Sequence, residues 1–169
     1  MKKIFLILIF ALSISPLTSQ NKELITITNI TPPPPPLIEY DWKQMIGFGC
    51  SSNGSLTALV KNYNLLLIKK KYKRICKNLK SNNKGKQFMS VLICDELTKR
   101  KLIKLSINQI NLINKIKNSD KIVPVCSGCT SPEEVPLKVL LDTTNLHPIR
   151  ERANSWLKNN SELWFKPRF

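Results

Sequence analysis

The sequence predicts an all-α fold: antiparallel helix pairs forming a compact helical bundle or a stack, behind a leader and a proline-rich linker. Three observations carry this expectation. Leu65, Ile68, Tyr72, Ile75 and Leu79 recur every three or four residues, which puts one apolar stripe on one helical face. Short polar breaks separate successive amphipathic segments, and short connections make helical neighbours antiparallel. Ser106-Ile107-Asn108-Gln109 fits the S-x-x-Q capping box that opens a helix. With 169 residues, 42% of them hydrophobic and only five glycines, the composition excludes a disordered or fibrous chain and fits one domain.

Met1 to Ser19 reads as a secretory signal peptide. Lys2 and Lys3 give a cationic start, Ile4 to Leu12 an apolar run, and Ser13 to Ser19 a small, polar exit broken by Pro16. The apolar run is shorter than the roughly 20 residues a membrane span needs. The expected destination is the periplasm or the medium of a bacterium. The rest of the chain holds no stretch long enough for a transmembrane anchor, and the first cysteine, Cys50, is too far from the leader for lipid attachment. Residues 20–36 form an N-terminal segment ending in Pro32 to Pro36. Five prolines lack backbone donors and fix φ, so they stiffen into a polyproline II spacer of roughly 15 Å. The helical domain is expected over residues 37–169.

Within that domain a first helix follows Ser51-Ser52-Asn53, a run of N-cap residues, with Leu56, Leu59, Val60 and Tyr63 inward. A second carries the Leu65-to-Leu79 stripe, with Lys69, Lys70, Lys73, Lys77 and Lys80 on much of the remaining surface. Ser81 to Gly85 is a turn by composition. A third, about Lys86 to Leu97, is apolar nearly all round and should be the most buried. After Thr98-Lys99-Arg100-Lys101, the capping box opens a fourth helix with Ile110, Ile113 and Ile116 inward, ending near Asn118. Ser131-Pro132-Glu133-Glu134 reads as a helix start that Pro136 stops after one turn, followed by a short element over 137–141. A last helix begins at Pro148 with Ile149, Ala153, Trp156 and Leu157 inward. The aromatics Trp164, Phe165 and Phe169 then pack back on the domain.

The stretch Tyr72, Ile75, Leu79 and Ser81, a turn, then Phe88 and Val91 to Leu97 resembles one helix pair of the HEAT and armadillo repeats, and Ile103 to Ser119 echoes it. The resemblance implies a HEAT-like curved scaffold that binds other macromolecules. It brings no catalytic residue with it.

In an exported chain the five cysteines, Cys50, Cys76, Cys94, Cys126 and Cys129, are disulfide candidates. Cys126-Ser127-Gly128-Cys129 has three readings. A thioredoxin-type redox pair wants its first sulfur at a helix N-terminus, whereas here the expected helix starts after the second cysteine. A zinc site would need Cys50 and His147 as further ligands, and export argues against it. The third reading is structural: Cys126 and Cys129 bond to each other, or one of them reaches Cys50. If the second and third helices fold back about residue 84, Cys76 and Cys94 lie within about 3 Å of the same level. Packed helix axes stand roughly 8–10 Å apart, beyond the usual Cα separation of a disulfide, which favours burial without bonding.

Lysine and arginine number 27 against 11 acidic residues, a net charge of +16, and removing the leader's two lysines leaves +14. Lys69, Lys70, Lys71, Lys73 and Arg74 form one dense cluster; Lys99, Arg100, Lys101 and Lys104 form a second. Arg150, Arg152, Lys158, Lys166 and Arg168 add a third basic region, interleaved with Trp156 and Trp164. Such a pattern suits an anionic partner. Export argues against nucleic acid and for anionic lipid headgroups, envelope polysaccharides or another protein. Signals for catalysis are thin. The one histidine, His147, precedes a helix-opening proline. Asp95-Glu96 and Glu133-Glu134 are adjacent pairs that diverge by about 100° on a helix. Gly47-Phe48-Gly49-Cys50-Ser51 lacks the spacing of a nucleophile elbow. No nucleotide-binding or metalloprotease motif occurs, so no cofactor or metal is expected. The sequence therefore reads as an exported, non-catalytic binding protein, with a periplasmic thiol–disulfide protein acting through Cys126 and Cys129 as the alternative.

Overall fold

The computed structural model describes residues 40–128, 132–144 and 147–165. All of them belong to one contact unit, Ile38–Phe169. The leader, the polyproline spacer, Cys129, the Ser131 cap and residues 166–169 lie outside the described residues.

The fold is α/β, which corrects the all-α expectation and removes the helical-repeat reading with it. Four strands, β1 (Ile46–Cys50), β2 (Ser55–Leu56), β3 (Ile122–Gly128) and β4 (Glu133–Pro136), form a mixed sheet in the order β2-β1-β3-β4. The central pair β1–β3 is parallel, with Ile46 opposite Val125 and Gly47 opposite Cys126. Both outer pairs are antiparallel. The helices are α1 (Ala58–Ile68), α2 (Tyr72–Lys77) with a 3-10 turn at Asn78–Lys80, α3 (Lys84–Lys99), α4 (Ile107–Lys117), α5 (Leu137–Leu141) and α6 (Pro148–Phe165). The first four fill the crossover between β1 and β3, as a parallel connection requires.

Each strand escapes a periodicity reading for a physical reason. β1 is glycine-rich and β2 only two residues long. β3 is buried at four consecutive residues, so it shows no apolar–polar alternation. Its Pro124, which lacks a ladder donor, argues against a central strand. The β1 ladder starts at Val125, just past that proline. Glu133–Pro136 was expected as a helical turn, but Val135 pairs with Val123 and Glu134 with Pro124 across β3. The short element expected over 137–141 is a helix, Leu137–Leu141.

α3 is the hub of the core. It packs on α1, α2, α4, α5 and β3, and Phe88, Met89, Val91, Ile93, Cys94 and Leu97 are fully buried around its circumference. Asn83 caps it by accepting from the Lys86 N–H at 2.8 Å. The capping box at Ser106 and Gln109 opens α4 as read, although Ile110 is exposed and only Ile113 and Ile116 turn inward. α6 buries Ile149, Ala153, Trp156 and Leu157 and continues unbroken to Trp164 and Phe165, so those aromatics belong to the helix and not to a returning tail. Trp156 stacks between Phe48 of β1 and Trp164, at 5.4 and 4.6 Å between ring centroids.

The expected second helix is two. The chain breaks between α1 and α2 at Lys69–Lys71, where Lys70 takes φ 51°. Leu65 and Ile68 consequently leave the stripe and are exposed, and Leu66 and Leu67 turn inward instead, while Tyr63 is buried as expected. The first helix also starts later than its cap candidates: Ser51 to Gly54 make the β1–β2 turn, and Thr57 is the N-cap of α1.

Candidate functional site

A cationic groove runs between α2 with its 3-10 turn on one side and the segment from Leu102 into α4 on the other. Its volume is about 1100 Å³. Local sequence explains both walls. Lys73, Lys77 and Lys80 step by four and three residues and so share one face of α2 and its 3-10 turn, while Lys70 lines the groove from the break before α2. Tyr72, Cys76 and Leu79 lie beside them and form the apolar floor with Ile103, Leu105 and Leu112 from the opposite wall. Lys71, Arg74 and Lys104 complete a set of seven cations around the groove, and no described acidic side chain lines it. The ion pairs among the described residues, Glu96–Arg100, Asp95–Lys117, Asp120–Lys138 and the longer Glu133–His147 contact, lie elsewhere. Lys71, Lys73, Arg74, Lys77, Lys80 and Lys104 enter none of them.

The first predicted cluster therefore forms much of the groove, through Lys70, Lys71, Lys73 and Arg74. Lys69, the C-cap of α1, does not line the groove. The second cluster is divided. Lys104 reaches the groove, whereas Lys99, Arg100 and Lys101 do not line it. Arg100 pairs with Glu96 at 2.6 Å and lies over the Phe165 ring at 4.6 Å. Lys101 adopts φ 58° at the end of α3. Lys77 and Lys80 were read as plain helix surface. Their regular step with Lys73 is the signal in the sequence that they form a wall. The basic region of α6 also divides: Arg150 is buried, with Nε and Nη1 lacking a hydrogen-bond partner among the described residues. Burial pushes its pKa down.

The cysteines fall into two separate places. Cys50 at the end of β1 and Cys126 on β3 form a disulfide, with Cα atoms 5.6 Å apart. This is the arrangement in which one member of the C-x-x-C reaches Cys50. Cys126 is a strand residue, not a helix N-terminus, so the dipole that lowers the first thiol in thioredoxin-type pairs is missing here. Gly47 leaves room for the bond: a Cβ there would fall on Cys50 Sγ and lie 3.1 Å from the Cys126 carbonyl oxygen. Cys76 and Cys94 meet at the same level of α2 and α3, as unbonded thiols with Sγ atoms 3.0 Å apart. His147 stands at the head of α6, where its Nδ1 accepts from the Ile149 N–H at 3.2 Å. Among the described residues no group of three or more acidic, histidine or cysteine side chains could hold a metal ion. Nor is any described helix long and apolar enough to cross a membrane.

No family model, curated protein or solved structure matches the chain.

Proposed function

We propose that this chain is an exported binding protein whose groove takes an anionic amphiphile of the cell envelope, a lipid-like molecule with a phosphate or carboxylate head. One observation carries the reading: seven cations line a groove whose floor is apolar. Coulomb attraction would hold the head against the walls of α2 and Lys104. Burial of an acyl chain on the floor would supply the rest, at about 25 cal/mol per Å² of apolar surface. A purely solvated basic face would lack the concave apolar floor, and a small metabolite would leave much of the volume unfilled. The expected leader places such amphiphiles within reach.

The test titrates three probes below their aggregation concentrations: lysophosphatidylglycerol, lysophosphatidylcholine with the same acyl chain, and glycerol phosphate. The anionic lyso-lipid is expected to bind saturably, one per chain. The zwitterionic one should bind at least tenfold more weakly, and the head alone should not bind measurably. Replacing Lys73, Lys77 and Lys80 by Glu should weaken the anionic lyso-lipid at least tenfold, since each lysine facing anionic lipid is worth about 1 kcal/mol. Lys158→Glu on α6 changes charge away from the groove and should leave binding intact. Equal affinity for the two lyso-lipids, or wild-type affinity in the triple variant, would overturn the proposal.

A further inference from the structure

The floor of the groove holds a feature that ligand binding does not use. Cys76 lines the groove, and Cys94 lies directly behind it on α3, with no exposed surface and 3.0 Å between the sulfurs. The pair is asymmetric in access. Cys76, 8% exposed, borders the cation-lined cavity, whereas Cys94 is wholly buried and does not line it. We propose that Cys76 and Cys94 are a thiol–disulfide exchange site, in which Cys76 attacks an organic disulfide delivered into the groove and Cys94 resolves the product.

The electrons balance in two steps. The Cys76 thiolate displaces one half of R–S–S–R, forming Cys76–S–S–R and releasing RS⁻. Cys94 loses its proton and attacks Cys76 Sγ, forming the Cys76–Cys94 bond and releasing the second half as a thiol. The chain is oxidised by two electrons, and the incoming disulfide is reduced to two thiols. The surroundings suit these roles. The contact between the two sulfurs lowers the pKa of Cys76, while the same contact and burial raise that of Cys94. Cationic neighbours stabilise an attacking thiolate and draw in an anionic disulfide. A disulfide needs its sulfurs at about 2.05 Å, so closure asks for roughly 1 Å of approach. α2 has only six residues and leads straight into a 3-10 turn, which gives it few hydrogen bonds to break. The proposal uses the geometry of the groove and not the identity of any amphiphile bound there, so the two can fail separately.

The probe is 5,5′-dithiobis(2-nitrobenzoate), an anionic aromatic disulfide, applied to the full chain after phosphine reduction and desalting. Products are mapped by alkylation, digestion and mass measurement. The expected wild-type product is a peptide linking Cys76 to Cys94, with no probe retained at either residue. Cys94→Ser should trap the probe on Cys76, read at that residue whatever the other cysteines carry. Cys76→Ser should leave Cys94 a free thiol that alkylates only after denaturation. Raising the salt should slow the reaction of Cys76. Because the variants are read by where the probe sits, circular dichroism on the same samples separates a failure to fold from a failure to react. A probe persisting at Cys76 in the wild type, reaction at Cys94 in the Cys76→Ser variant, or Cys76 and Cys94 both left as thiols in the folded wild type would each overturn the assignment.

Discussion

Tyr63 shows how much one side chain carries. It is fully buried on α1, and its hydroxyl meets three partners: it donates to the Lys86 carbonyl at 2.9 Å, lies 2.8 Å from Ser90 Oγ and accepts from Asn78 Nδ2 at 3.0 Å. One oxygen thus ties α1 to α3 and to the 3-10 turn that follows α2. Tyr63→Phe would keep the ring and leave buried polar partners unmade, at a cost of about 1–3 kcal/mol. Urea unfolding at neutral pH measures that loss. Burial also pushes the Tyr63 pKa up from 10.0 to about 12. Below pH 10 the folded and unfolded chains hold this proton equally. Between pH 10 and 12 the unfolded chain releases it and the folded chain keeps it, so stability falls as pH rises. The fall amounts to roughly 2–3 kcal/mol. The difference in stability between wild type and Tyr63→Phe should therefore shrink over that window. A difference that stays constant from pH 9 to 12 would count against this account. Sequence spacing marked Tyr63 as inward-facing, but the hydroxyl's partners come from residues 78, 86 and 90, which only the packing brings together.

At the scale of the element, the ends of α1 and α3 are built alike. Lys71 N–H reaches the Leu66 carbonyl at 2.8 Å and Lys70 N–H the Leu67 carbonyl at 2.9 Å. After α3, Leu102 N–H reaches Leu97 and Lys101 N–H reaches Thr98, both at 2.9 Å. These are Schellman motifs, whose left-handed residue is ordinarily glycine. Here lysine holds it, with φ 51° at Lys70 and 58° at Lys101. A side chain in that conformation costs about 1 kcal/mol. Lys101→Gly should thus raise stability by about 1 kcal/mol, or a few degrees in Tm, whereas Lys101→Ala should give no gain. Thermal unfolding of the two variants decides it. Lys101 is the better position for the test because Lys70 also lines the groove. The motifs explain why one predicted helix became two and why the second basic cluster is divided. A lysine triplet reads as helix surface by propensity, and nothing local announces that its middle member turns left-handed. Only the capture of the Leu66 and Leu67 carbonyls does so. The capping box at Ser106 and the Asn83 cap are different. Each satisfies its backbone groups within a few residues; the Ser106 box is legible in the sequence, whereas the sequence reading places Asn83 inside a turn.

At the scale of the whole molecule, the Cys50–Cys126 bond joins the two parallel strands across the entire helical crossover, a separation of 76 residues. In the loop-closure model a bond across such a loop is worth about 4 kcal/mol through the unfolded chain. Replacing both cysteines by serine leaves neither thiol unpaired and should lower the unfolding free energy by about 2–4 kcal/mol. Reduction should have no further effect on that bond's contribution. Equal stability of the double variant and the oxidised wild type in urea would show that the bond does not staple the sheet. The same long range separates what was readable from what was not. α3's all-round burial, α6's inward face and the α4 cap follow from residues three to four apart, because a helix satisfies its backbone from its own near neighbours. The sequence by itself determined those helices, the excess of positive charge and the spacing that lines up Lys73, Lys77 and Lys80. The tertiary structure alone decided that a sheet exists, that Cys126 finds Cys50, and that Lys104 faces α2 across an apolar floor. The central strands β1 and β3 pair with each other across the whole helical crossover. β1 and β3, short, buried and interrupted by glycine or proline, carry no local periodicity that could have declared them.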